Sequence, residues 1–169
     1  MGTISRKDFS FSQEKNPQRL QVRKNMNLDA QWIVGFIDGE GCFHIGISKN
    51  ESLTVGYQVL PEFVVTQHKR SIQVLHGLKN YFKSGVVRNN GSGKEISCYR
   101  VRDHKALLET IIPFFEKHKL KTTKRFDFIK FRRILHLMEK KEHLTPVGLE
   151  KIRQIRDRVL FASTNPPSG

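Results

Sequence analysis

Trp32-Ile33-Val34-Gly35-Phe36-Ile37-Asp38-Gly39-Glu40-Gly41 decides how the rest of the chain is read. Trp32 to Ile37 are all apolar or glycine, and they lead into two acids separated by one glycine. Behind them, Cys42-Phe43-His44-Ile45-Gly46-Ile47 alternates in the manner of a strand. As a helix, Trp32 to Ile37 has no polar stripe, so it requires cover on every side. One side meets the chain's own core, and the other needs a second protein surface. Gly35 and Gly39 are four residues apart, so they share a face and let another backbone come close. Asp38 and Glu40 stand at the end of that seam, and two carboxylates held there point to a bound metal ion. The other reading of the same spacing is a buried helix that ends in a polar turn, with Asp38 as a cap.

Several classes fall away. The apolar run is far short of the ~20 residues that span a membrane. Gly39-x-Gly41 follows a helix and has His44 where a third glycine belongs, so it is not a dinucleotide loop. Cys42 occupies a ligand position and excludes a calcium loop. The 169 residues make one domain with an ordinary core. With 30 Lys and Arg against 16 Asp and Glu, the formal charge is +14, which points to a polyanionic partner. Nucleic acid comes first and an anionic membrane face second. Cys42 and Cys98 form neither a disulfide framework nor a zinc pair, which suits a reducing compartment. No apolar secretory region opens the chain.

Residues 1–27 carry six basic side chains without periodicity and read as a loosely ordered arm. Asn27 or Asp29 caps the first helix. Strands follow at Cys42 to Ser48 and Tyr57 to Gln67, with Phe43, Ile45, Ile47, Val59, Phe63 and Val65 on an apolar face. His44, Gly46, Ser48, Gln58, Glu62 and Thr66 form the opposite, polar face, interrupted by Leu60 and Val64. Lys69 to Phe82 is helical, with Ile72, Leu75 and Leu78 inward. A second hairpin runs from Ser84 to Asn90 and from Glu95 to Arg102 around Gly91-Ser92-Gly93, with Arg88, Arg100 and Arg102 on the polar face. His104 to Phe115 is a helix that buries Leu107, Ile111 and Phe115. Another helix opens at Thr122 or Thr123 and buries Phe126, Ile129, Ile134 and Leu137. The last starts at the cap-plus-N1 pair Thr145-Pro146 and buries Leu149, Ile152, Ile155 and Val159. Residues 161–169 read as a disordered tail. The fold class is α+β, with an antiparallel sheet that is apolar on one face and polar on the other.

Ile33-Val34-Gly35-Phe36-Ile37-Asp38-Gly39-Glu40-Gly41 resembles the signature of the LAGLIDADG homing endonucleases and related intron maturases. Val34, Phe36 and Glu40 depart from it conservatively, with Glu40 replacing an aspartate. The element order also resembles that family's αββαββα fold, a saddle-shaped antiparallel sheet with helices behind it, here over residues 28–160 with additional C-terminal helices. The resemblance implies a homodimer whose signature helices pair through Trp32, Gly35, Phe36 and Gly39. It further implies Mg²⁺ held by Glu40 of each subunit and the Gly39 carbonyl, with Mn²⁺ or Ca²⁺ as substitutes in vitro. Asp38 becomes a structural acid.

Phe63-Val64-Val65-Thr66-Gln67 resembles the family's strand ending in a water-positioning glutamine, so Gln67 takes that role, although an ordinary strand-end amide is the alternative. Ser71 stands where relatives often carry a charged residue, which leaves Lys69 or Arg70 as basic helpers. Pro113-Phe114-Phe115 followed by Lys119-Leu120-Lys121 resembles the segment that delivers a catalytic lysine, with Lys121 the better register and Lys119 second. For DNA reading the candidates are His44, Ser48, Asn50, Gln58, Glu62, Arg70, Arg88, Asn90, Arg100 and Arg102. The expected activity is a double-strand break at a long, near-palindromic DNA site. The alternatives are an RNA-binding maturase and a catalytically inactive DNA-binding relative. Expected partners are double-stranded DNA and a second copy, with no membrane and no small-molecule substrate. The family resemblance implies a chloroplast or mitochondrial location.

Overall fold

The computed structural model describes residues 26–90 and 95–158. The expected N-terminal arm up to residue 25, the turn Gly91-Ser92-Gly93, Val159 and the C-terminal tail lie outside the described residues.

Helix α1 (Ala30–Glu40) starts at Asp29, whose carboxylate accepts the backbone N–H groups of Gln31 and Trp32. It runs directly into β1 (Gly41–Lys49), which pairs antiparallel with β2 (Tyr57–His68). The junction needs glycine for a steric reason: a Cβ on Gly41 would lie 2.5 Å from Ile37 Cγ2 and 2.9 Å from the Ile37 carbonyl oxygen. After β2 a short 3₁₀ turn (Lys69–Ser71) precedes α2 (Ile72–Phe82), so the expected single helix begins as a tighter coil. β3 (Val86–Asn89) and β4 (Ile96–Val101) complete an open sheet of order β1-β2-β4-β3, antiparallel throughout.

The expected helix from His104 is α3 (His104–Ala106), a π turn (Leu107–Ile111) and α4 (Ile112–Lys117) in succession. Pro113 explains the π turn. It has no N–H to offer the preceding turn and its ring crowds that turn's carbonyl, so the coil widens just before it. Helix α5 (Lys124–Glu139), a 3₁₀ turn (Glu142–Leu144) and α6 (Pro146–Asp157) close the fold. The Thr145 hydroxyl caps α6 through the Gly148 N–H, with Pro146 in its first turn.

The helices cover one face of the sheet, and the core between them is continuous. Phe43 sits at its centre, with ring centroids 5.2 Å from Phe63, 5.3 Å from Phe115, 5.4 Å from Phe128 and 5.5 Å from Phe131. That cluster corrects the expected register of α5. Phe128, Phe131, Ile134 and Leu135 are buried, whereas Phe126, Ile129 and Leu137 are only partly so. A rotation of the helix would withdraw Phe128 and Phe131 from Phe43. On the opposite face of the sheet, Leu60 is exposed and Val64 half-buried, as the strand alternation requires.

Candidate functional site

The C-terminal end of α1 gathers the residues expected to carry chemistry. The Asp38 carboxylate is half-buried and fully engaged: it accepts the backbone N–H of Lys121 at 2.7 Å, that of Thr122 at 3.2 Å, and the Thr122 hydroxyl at 2.8 Å. Asp38 is therefore the clasp between the signature helix and the segment that leads into α5. Thr122 also accepts the Lys124 N–H, so the same hydroxyl begins α5. Lys124 Nζ donates to the Gly41 carbonyl at 2.5 Å and ties α5 to the α1–β1 junction. Sequence reading missed Lys124. Its only local signal was its place in a helix start, and the partner carbonyl lies far away in the chain.

Glu40 contrasts with Asp38 at two residues' distance. It is exposed, and its side chain makes no hydrogen bond or ion pair among the described residues. No group of three or more His, Cys, Asp or Glu able to hold a metal occurs among the described residues. Glu40 is a hard oxygen donor with free valences, of the type magnesium accepts alongside phosphates and water. A single such carboxylate suits an ion shared with ligands from outside this fold.

Gln67 reaches the same end of the molecule. Gly41 pairs with Val65, so Gln67 lies just past the point where β1 gives way to α1. It shares the parity of Val65, on the side of the sheet that α1 covers, and is half-buried. Lys121 and Lys119 are exposed, and Leu120 between them is buried as the anchor of the segment.

The outer face of α1 is open. Trp32 is 43% exposed and stacks on Phe36 with ring centroids 4.9 Å apart. Gly35 and Gly39 face free space among the described residues: a methyl group on either would meet none of their atoms within 4 Å. Neither glycine has a steric reason among the described residues, although glycine in a helix interior costs about 1 kcal/mol relative to alanine.

The sheet's open face carries His44, Ser48 and Gln58, all exposed, with Glu62 and Arg100 half-buried and Arg88 and Arg102 exposed. Glu62 bridges Arg100 and Arg102. Asn90 is exposed just beyond β3. Asn50 lies beyond β1 and works as a turn residue: its Oδ1 accepts the Ser52 N–H at 3.2 Å and the Ser52 hydroxyl at 2.7 Å. Arg70 stands apart from the sheet, exposed in the turn before α2. Cys42 also opens on the polar face; partial burial raises its thiol pKa, against the lowering effect of Lys124.

Residues 33–135 match the family described as LAGLIDADG endonuclease. A "Probable intron-encoded endonuclease 2" from Neurospora crassa is 33% identical over 129 residues, covering 76% of this chain and 28% of that protein. The chain thus spans less than a third of the length of that curated relative. The crystal structure of the homing endonuclease I-TnaI superposes with a TM-score of 0.75 at 50% identity, covering 82% of this chain and 92% of that one. I-SmaMI bound to uncleaved DNA target in the presence of calcium ions superposes with a TM-score of 0.75 at 34% identity, over 78% of this chain and 45% of that one. Signature, element order and structural match converge, and the chain belongs to the LAGLIDADG endonuclease family.

Proposed function

We propose that the chain is a homing endonuclease subunit that pairs with a second copy of itself and, with Mg²⁺, hydrolyses both strands of a long, near-palindromic DNA site. One observation carries this reading: Glu40 is an exposed carboxylate with no partner among the described residues, at the end of an open glycine-and-aromatic helix face. A second α1 seated on Trp32, Gly35, Phe36 and Gly39 brings a second Glu40 to the same place. Gly35 and Gly39 then acquire the close-packing role that they lack among the described residues of one chain. The match to I-SmaMI with DNA and calcium ions supports both partner and ion class.

Glu40 and the Gly39 carbonyl would hold the ion, which supplies Lewis-acid charge at the scissile phosphate. Gln67 orients the attacking water by hydrogen bonding, because an amide is no base. Lys121, held by the Asp38 clasp, places its ammonium against the charge that develops on phosphorus. His44, Ser48, Gln58, Arg88, Asn90, Arg100 and Arg102 face the groove as base and phosphate contacts. The intron-encoded names of relatives support an intron-borne, organellar origin.

Selection of cleaved targets from a randomised palindromic duplex library, with wild type and Glu40→Gln compared in Mg²⁺ and in EDTA, tests this reading. Cutting by wild type alone, lost in EDTA and with binding kept by the variant, is the expected outcome. Cutting by both proteins refutes Glu40 as the metal acid.

A further inference from the structure

The open face of the sheet sets one carboxylate among its arginines. Glu62 lies in β2 opposite His44, and its side chain is 14% exposed. Its Oε2 accepts Arg102 Nε at 2.6 Å and lies 3.5 Å from Arg100 Nε. The Arg100 side chain is 19% exposed, and its Nε makes no hydrogen bond of good geometry among the described residues. The contact of Glu62 with Arg100 is therefore Coulombic, while that with Arg102 is a directed, charge-assisted bond. Register produces this arrangement: Phe63 pairs with Val101 and Val64 with Arg100, so Glu62 stands level with Arg102 and diagonal to Arg100. Arg88, the third arginine of the face, makes no ion pair among the described residues.

A base-reading carboxylate needs free oxygens directed at the groove, to accept from cytosine N4. Glu62 spends Oε2 on two guanidiniums, and with a side chain only 14% exposed it presents little of its carboxylate to the groove. Arg102 is bonded at Nε and Arg100 is only attracted there, and the terminal nitrogens of both form no hydrogen bond among the described residues, which leaves guanidinium forks of the kind that pair with guanine O6 and N7. Holding the forks before DNA arrives removes the ordering cost of two long side chains. The shared carboxylate also cancels one positive charge on this strip, which weakens attraction to any phosphate regardless of sequence.

We infer that Glu62 is a positioning residue that sets sequence discrimination by aiming Arg100 and Arg102 and by damping their phosphate affinity, rather than a direct reader of a base. The inference rests on the proposed reading of this face as a DNA-binding surface.

The test has two arms on the full chain. Without DNA, ¹⁵N-detected Arg Nε–H signals of wild type should include slowly exchanging Arg102, and Glu62→Gln should lose that protection. With DNA, binding to a library-selected duplex and to a random-sequence duplex is titrated across salt concentrations. Glu62→Gln should lower the selected-to-random affinity ratio about tenfold. It should also tighten random-duplex binding and steepen its salt dependence by about one ion. Glu62→Asp, which keeps the charge but shortens the reach, should retain the shallow salt dependence and lose part of the discrimination. A loss confined to one C·G pair in each half-site, or an unchanged ratio and slope, overturns the inference. Nε protection that depends on Glu62, in a protein that prefers no duplex over another, retains the clamp. It refutes the DNA reading and with it the role in discrimination.

Discussion

The Asp38 carboxylate and the Lys121 backbone N–H are joined by a 2.7 Å hydrogen bond that spans 83 residues of sequence. The same carboxylate takes both donors of Thr122. One acid of the signature thus holds the loop of the candidate lysine, while the side chain of the other, Glu40, has no partner among the described residues.

Replacing Asp38 with Ala should cost about 2 kcal/mol, since charged acceptors of backbone and hydroxyl donors contribute in that range and two N–H groups lose their partner. Urea denaturation measures the loss, and hydrogen exchange at Lys121 and Thr122 should rise first. Equal protection of those amides in the variant would refute the clasp.

Lys121→Met and Gln67→Leu should each slow cleavage on the order of a hundredfold, as loss of one stabilising donor does, with DNA affinity changed little. Single-turnover kinetics on a selected target separate the two effects. A drop in affinity with unchanged chemistry would make Lys121 a phosphate contact only. Lys119→Met should leave the rate near wild type.

Gly35→Leu places a bulky side chain in the open seam, and Trp32→Glu places a charge there. Sedimentation equilibrium should show paired wild type and monomeric variants, with circular dichroism unchanged because both positions face away from the chain's core. Monomeric wild type at micromolar concentration would count against the proposed pairing.

Tyr99 predicts an alkaline transition. It is fully buried, its hydroxyl donates to the Ser84 carbonyl at 3.1 Å, and burial pushes its pKa from 10.0 up to about 12. Above the unfolded pKa the unfolded chain has released this proton while the folded chain still holds it. Stability therefore falls as pH rises across that window, by about 3 kcal/mol in all. Denaturation of wild type and Tyr99→Phe between neutral pH and pH 12 isolates the effect, because the variant should lack that slope.

What could be read in the sequence is what short-range physics controls. Asp29 before an apolar run starts α1, Thr145-Pro146 starts α6, and the alternation through Phe43, Ile45, Phe63 and Val65 defines the buried face of β1 and β2. The apolar run of the signature helix also predicted a helix buried on one side, as Ile33, Val34 and Ile37 are. Partners distant in sequence were not legible, because nothing local selects them. Phe43 chose Phe128 and Phe131 over Phe126 and Ile129 in α5. Asp38 found Thr122, Lys124 found the Gly41 carbonyl, and strand register put Glu62 beside Arg100 and Arg102. Helix caps and strand periods follow from residues a few positions apart, so the sequence by itself determined the elements and the two acids. Which groups Asp38 clasps, and which arginines share a carboxylate, depend on segments brought together by core packing, so only the tertiary structure decided them.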